Sequence, residues 1–181
     1  MRNFLLLFLL LISVSICGCG YTTGSLLPSD LQTIYIGPFR NKIQLTEELA
    51  HDAYRFRTYR AQLEVDITRA VIERFINDGH LKVVEQENAD LVLSGDLIDY
   101  LRQPLRYGAD NETVEEYRVS VVCAVILEDK KHNKIMWEDP RVIGDSSYNL
   151  EGTYAGSEDS AVSIAITDLA RRIVNHTIEG W

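Results

Sequence analysis

The sequence contains few cysteines, and no group of its residues has the spacing of metal ligands. Its three cysteines are Cys17 and Cys19 near the start of the chain and Cys123 in the middle. If Cys19 is consumed by lipid attachment, Cys123 is the one thiol left in the processed chain, and a single thiol cannot form an internal disulfide. No combination of cysteine and histidine matches a zinc site. We therefore expect a domain held together by packing alone, with no metal and no cofactor.

Catalytic motifs are absent from the sequence as well. No G-x-S-x-G, P-loop or H-E-x-x-H pattern occurs. No two carboxylates suggest an acid–base pair, and the histidines fall on separate predicted elements: His51, His80, His132 and His176. We expect these histidines to be ordinary surface residues and the protein to have no enzymatic activity.

The apolar run at residues 4–16 is too short to cross a membrane as a helix. Its 13 residues would span about 20 Å, whereas the hydrocarbon core of a bilayer is about 30 Å thick. Arg2 precedes the run and small residues follow it, which is the pattern of a signal peptide. We predict a lipoprotein signal peptide at residues 1–18.

Cys19 is the predicted site of lipid attachment. The segment Ile16-Cys17-Gly18-Cys19 resembles a bacterial lipobox, although a cysteine at its middle position is irregular. Cleavage before Cys17 would leave the bulky Ile16 at the cut, whereas cleavage before Cys19 leaves Gly18. The alternative is a plain secretory leader with Cys19 as an ordinary thiol. Gly20 stands where an aspartate would favour retention in the inner membrane, so we expect an outer-membrane, lipid-anchored, periplasm-facing protein with a lipidated tether at residues 19–30.

Positive charge is scarce in this chain. It has 27 acidic and 18 basic residues and a formal net charge of −9. An acidic chain of this kind is a poor nucleic-acid binder. Phosphate recognition requires Arg or Lys, and three small clusters qualify as candidates: Arg55, Arg57 and Arg60; Arg102 and Arg106; Lys130, Lys131 and Lys134. We prefer the last two clusters because both lie at predicted strand ends, where a sheet could present them together. The alternative is that all three are solvated loop charges.

Hydrophobic periodicity predicts seven elements in one domain at residues 31–181. Two helices have apolar residues spaced by three and four, and the strands alternate or form buried apolar runs. The predicted order is a strand at 31–39, a helix at 58–78, a strand from Leu81, strands at 89–101, 115–128 and 134–142, and a helix at 158–177. We expect Pro104 to end the strand at 89–101. The longest strand should be the one at 115–128, and residues 144–156 should form a loop.

This order predicts an α+β fold in which two helices cover one face of a sheet. We expect a two-layer sandwich with a mixed, mostly antiparallel sheet of four to five strands. Several aromatic side chains fall in predicted loops or at the chain ends, where they could anchor an interface or cover the domain's own core: Tyr21, Tyr54, Tyr59, Tyr107, Tyr148, Tyr154 and Trp181.

The order of these segments resembles the lipopolysaccharide-assembly lipoprotein family of the LptE type. The resemblance is carried by the following residues: Cys19-Gly20-Tyr21 with Gly24, LQTIYIGPF at 31–39 with Asn41, LEVDITRAVIERF at 63–75 with Asp78-Gly79, ADLVLSG at 89–95, Tyr117-Arg118, Trp137-Glu138, Asp168 to Ala170, and IEGW at 178–181. The chain departs from the family in its irregular lipobox and its acidic balance.

The resemblance implies a non-enzymatic plug and assembly factor inside the β-barrel of the lipopolysaccharide translocon. The implied partners are an LptD-type barrel protein and lipopolysaccharide, with Arg102, Arg106, Lys130, Lys131 and Lys134 as candidate contacts to the latter. The alternative is a periplasmic accessory lipoprotein of another envelope secretion or transport machine. A lipid-tethered hydrolase would require a polar cleft with converging titratable groups.

Overall fold

The computed structural model describes residues 27–43 and 61–180. The predictions for the signal peptide, for Cys19 and for most of the tether lie outside these residues. So do those for the cluster of Arg55, Arg57 and Arg60, for His51, and for four aromatic residues: Tyr21, Tyr54, Tyr59 and Trp181.

The described chain contains six strands, two α-helices and one short 3₁₀ helix at Gln86–Asn88. In chain order the strands and α-helices are β1 (Thr33–Ile36), β2 (Arg40–Asn41), α1 (Leu63–Asp78), β3 (Lys82–Val83), β4 (Leu91–Tyr107), β5 (Val114–Asp129), β6 (Lys134–Asn149) and α2 (Glu158–Glu179). All six strands form one sheet of order β3-β1-β4-β5-β6, with β2 also paired to β4.

The predicted α+β arrangement is confirmed, with a sheet that is only partly antiparallel. The long strands β4, β5 and β6 pair antiparallel, and the short strands β1, β2 and β3 add parallel pairs. The described sheet has six strands, one more than the upper limit expected. The predicted first strand corresponds to β1, which stops before Gly37-Pro38 as expected, because proline has no N–H to donate to a ladder. The short strand β2 follows at Arg40–Asn41, just beyond the predicted strand.

Two strand ends were wrong in the sequence prediction. β4 continues through Pro104 to Tyr107 and, at 17 residues, exceeds β5 by one. Pro104 lies beyond the part of β4 that pairs with β1 and β2, so β4 is an edge strand there within the described sheet, and a register shift follows it. Edge strands and bulges are the positions at which a sheet tolerates proline. β6 extends to Asn149 through a predicted loop, because pairing with β5 overrides the local preference of small polar residues.

Both helices bury the apolar stripes seen in the sequence. On α1 the buried residues are Leu63, Ile67, Val71 and Phe75. The helix begins at Leu63, five residues after the predicted start, because Gln62 adopts a left-handed conformation (φ 67°). It ends at Asp78 as predicted, where the Gly79 N–H donates to the Phe75 carbonyl. At the start of α2, the Ser157 side chain accepts from the Ser160 N–H.

The core lies between the two helices and one face of the long strands. The inward residues of β5 are fully buried: Val119, Val121, Cys123, Val125 and Leu127. Burial raises the pKa of the Cys123 thiol far above its ordinary value. This keeps the thiol protonated and confirms that Cys123 acts as a small hydrophobic side chain.

The outer edge of β6 is partly closed by polar groups. The Arg141 N–H donates to Asp139 Oδ1 (2.7 Å), and the Asp145 N–H donates to Asp168 Oδ2 on α2 (3.3 Å). Pro140, which lies between Asp139 and Arg141, has no N–H. At the end of β6 the Gly156 N–H donates to the Asn149 carbonyl (2.9 Å). Such devices limit the pairing of an edge strand with another chain.

Helix α2 lies very close to β6 at Gly144. A Cβ atom on Gly144 would lie 2.2 Å from the Ala165 carbonyl oxygen and 2.6 Å from the Leu169 nitrogen, both of the α2 backbone. Real Cβ atoms do not approach backbone atoms so closely, so any side chain at Gly144 would push the helix away from the sheet.

We predict that Gly144→Ala lowers the free energy of unfolding by about 1–3 kcal/mol, the usual cost of overpacking a core. Urea unfolding followed by circular dichroism measures this. Gly156→Ala is the control, because a Cβ there would meet Tyr148 Cβ at an ordinary 3.4 Å. Equal stability of the two variants would contradict the close approach.

Candidate functional site

The two preferred clusters of cations lie at opposite ends of the sheet. Arg106 on β4 pairs with Glu116 at the start of β5, whereas Lys134 pairs with Asp129 at its end. The two positions on β5 are thirteen residues apart, roughly 40 Å at about 3.3 Å per residue. The expectation that the sheet presents both clusters together is therefore wrong. They are separate surfaces.

The Arg102 side chain is held by contacts with other residues of the domain. Its Nη1 donates to Glu158 Oε2 at 3.0 Å, and the guanidinium lies over the Tyr117 ring, 4.6 Å from the centroid. Glu158 also accepts from the Tyr100 hydroxyl at 2.7 Å. Burial by itself lowers the pKa of a guanidinium, but the hydrogen bond to Glu158 raises the pKa of Arg102 above its ordinary value. Arg102 thus joins β4 to the first turn of α2.

Tyr148 belongs to the same cluster and is not a loop residue as predicted. It lies on β6, is 8% exposed and stacks on Tyr117 with 5.9 Å between ring centroids. Its hydroxyl lies 3.5 Å from Glu158 Oε2. Burial raises the pKa of Tyr148, and the neighbouring Glu158 carboxylate adds to this. Tyr148 therefore covers the domain's own core and does not serve as an exposed interface anchor.

Arg106 lies among acidic and amide groups at the same end of the sheet. Its Nη1 donates to Glu115 Oε2 at 2.5 Å, its Nη2 donates to Asn149 Oδ1 at 2.9 Å, and its Nε lies 3.5 Å from Glu116 Oε2. Two carboxylates already neutralise this arginine, so its charge attracts a further anion weakly.

The turn between β5 and β6 holds the other three cations. Lys131 Nζ donates to the Asp30 carbonyl at 3.1 Å and lies 3.2 Å from its carboxylate, which fastens the end of the predicted tether to this turn. Lys130 Nζ donates to the Gln86 carbonyl at 2.8 Å. Lys130 and Lys134 line an open pocket of about 310 Å³ together with the apolar Val92 and Ile135 and the acidic Glu128 and Asp129.

His132 supports this turn structurally. Its Nδ1 lies 2.8 Å from Asp129 Oδ2, and its N–H donates to Asp129 Oδ1. Burial alone would raise the pKa of Asp129, but these two hydrogen bonds hold it below its ordinary value. His80 contacts Asp78 and His176 stacks on Trp137, so the described histidines lie in separate places, as expected.

Within residues 27–43 and 61–180, no three His, Cys, Asp or Glu side chains could hold a metal ion together. The described helices include none long and apolar enough to span a membrane.

Sequence reasoning missed Glu158 as the centre of a polar cluster. The sequence shows it as a helix-start carboxylate favoured by the helix dipole, and the structure adds its contacts to β4. Because Arg102 and Glu158 are 56 residues apart, no local pattern connects them.

The family profile for LptE, described as lipopolysaccharide-assembly, matches residues 31–177. The chain belongs to the LptE family. This confirms the resemblance carried by the sequence segments, and it makes the chain a lipopolysaccharide-assembly protein. None of the curated proteins compared with the chain matches it in sequence.

Solved structures share the fold of this LptE family member at low sequence identity. Protein CT253 from Chlamydia trachomatis has a TM-score of 0.54 at 13% identity, and the match covers 81% of this chain and 95% of that one. Protein XCC0632 from Xanthomonas campestris has a TM-score of 0.52 at 10% identity, covering 81% and 83%. Lipoprotein B from Nitrosomonas europaea has a TM-score of 0.51 at 16% identity, covering 89% and 90%.

We predict that Arg102→Met costs about 1–3 kcal/mol of stability, because it leaves Glu158 partly buried without its cation. Arg106→Met is the matched control and should cost less than about 1 kcal/mol, because Arg106 is more than half exposed. Urea unfolding of both variants measures the difference. Equal losses would contradict a structural role for Arg102.

Proposed function

We propose that this LptE family member is an outer-membrane lipoprotein, acylated at Cys19, that acts as a plug and assembly factor inside an LptD-type β-barrel. It would work by binding, with no chemistry of its own. The observation that carries the proposal is the match to the family profile from the first strand to the last turns of α2.

The surface of the domain suits the inside of a barrel. The lumen of an outer-membrane barrel is polar, so its plug must be polar too. The described domain buries most of its large hydrophobic side chains in one core and exposes nine of them. Its three long antiparallel strands, 16 or 17 residues each, give a body that could brace a barrel wall.

We predict that the full-length chain, purified from membranes in detergent, brings down an LptD-type barrel protein identified by mass spectrometry. Cys19→Ala should shift the chain from the outer-membrane fraction to the soluble periplasmic fraction, since stable anchoring requires acyl chains. Recovery of components of another secretion or transport machine, with no barrel protein, would instead favour an accessory lipoprotein of that machine.

For the contact with lipopolysaccharide we propose Lys130 and Lys134 from the five candidates. Arg102, Arg106 and Lys131 each have a carboxylate partner within the domain. Lys130 binds only a carbonyl among its described contacts, which leaves its charge to attract phosphate. The pocket beside both lysines is also lined by Val92 and Ile135, which suits a ligand that joins phosphate to hydrocarbon. Glu128 and Asp129 line it as well, so Lys134 faces acidic groups and Lys130 is the stronger candidate of the two.

Lys130→Glu combined with Lys134→Glu should weaken binding of purified lipopolysaccharide by about tenfold, because charge-assisted hydrogen bonds to phosphate become repulsions. Lys82→Glu, at an exposed lysine on β3, is the control and should bind as the wild type does. Binding can be followed by retention on immobilised lipopolysaccharide at low salt. An unchanged affinity of the double variant would contradict the assignment.

A further inference from the structure

Exposed hydrophobic side chains gather at the end of the sheet away from the turn between β5 and β6. We call this end the tip and define it as residues 105–116 and 149–156. Four of the nine large hydrophobic residues that are exposed in the described chain lie here: Leu105 (43% exposed), Tyr107 (42%), Leu150 (46%) and Tyr154 (85%). Tyrosine is a common anchor of protein interfaces, and exposed hydrophobic side chains that cluster in one place mark interaction sites.

The two segments of the tip are held together by hydrogen bonds. The Leu150 N–H donates to the Glu115 carbonyl at 2.9 Å, and Arg106 joins Glu115 to Asn149. An open pocket of about 440 Å³ lies between the segments, with Val114 and Leu150 in its wall. A surface ordered in advance in this way loses little conformational entropy when a partner binds.

The charge around these hydrophobic side chains is acidic. The tip has a single basic residue, Arg106, against five carboxylates: Asp110, Glu112, Glu115, Glu116 and Glu151. Hydrogen bonds from the Thr113 hydroxyl and amide and the Glu112 amide lower the pKa of Asp110 to about 2, so it is ionised at neutral pH. Arg106 is occupied by Glu115 and Glu116. Phosphate groups of a lipid would therefore be repelled.

We propose that the tip is a protein-docking surface whose partner presents an apolar socket surrounded by lysine or arginine. Tyr154 and Leu150 enter the socket, and the carboxylates face the basic rim. This inference rests on the proposed function and identifies the partner as the barrel protein. It also separates two surfaces, because Asp30 and the lysines lie at the opposite end of the sheet.

The acidic rim discriminates between occupants. A second copy of the chain would bring a second set of carboxylates, and like charges brought together at an interface cost several kcal/mol. A lipid surface would present phosphates of the same sign as the rim. A basic protein surface is the occupant whose charge complements the tip.

The test compares matched exposed residues in the full-length chain, purified from membranes together with the barrel protein. Tyr154→Ser with Leu150→Ser should reduce recovery of the barrel by about tenfold or more. The control, Ile76→Ser with Ile164→Ser, removes hydrophobic side chains that are 61% and 55% exposed on the helices and should recover the barrel as the wild type does.

A second pair of variants tests the charge. Glu112→Lys with Glu151→Lys should also lower recovery of the barrel, with a loss that shrinks at high salt. Glu73→Lys with Glu87→Lys makes the same change in charge at exposed positions elsewhere and should have no such effect. A photoreactive phenylalanine analogue at position 154 should form a crosslink to the barrel protein.

The outcomes separate this inference from the proposed function. If the wild type recovers no barrel protein, the proposed function fails. If it does, but the tip variants recover as much as their controls, only the assignment of the tip is overturned. A crosslink from position 154 to lipopolysaccharide or to a second copy of the chain would also overturn it.

Discussion

The whole structure depends on the burial of one face of β4, β5 and β6 beneath two helices. With Cys123 as the only described cysteine, no disulfide reinforces this layer in the described chain, so packing must supply its stability. Removing one large core side chain typically costs about 2–5 kcal/mol, a large part of the roughly 5–15 kcal/mol by which such a domain is stable. The contact of Gly144 with α2 shows how closely the two layers approach.

The elements with a strong local period were predictable. The stripe of α1, its end at Gly79, the cap at Ser157 and the buried valines of β5 follow from short-range rules, and the structure confirms them. The ends of β4 and β6 were not predictable in this way. Gly144 to Asn149 has the composition of a loop and becomes strand only because β5 is available to pair with it.

The candidate site was predicted less well than the fold. Residue type alone selected five cations, yet three of them have carboxylate partners within the domain, two of which are distant in sequence. The separation of the two clusters follows from the antiparallel register, which places the start of β5 beside the end of β4. The resemblance to the LptE family did not depend on these details, because it was carried by the order of segments along the whole domain.

The partly closed edge of β6 bears on how readily the domain aggregates. A strand of 16 residues with an open side is a template on which other chains can stack into cross-β aggregates. That template is interrupted at intervals by Pro140, by the N–H groups that donate to Asp139 and Asp168, and by the Gly156 contact. Backbone pairing of β6 with another chain is therefore disfavoured, and contacts with other proteins are directed to surfaces built from side chains instead of backbone.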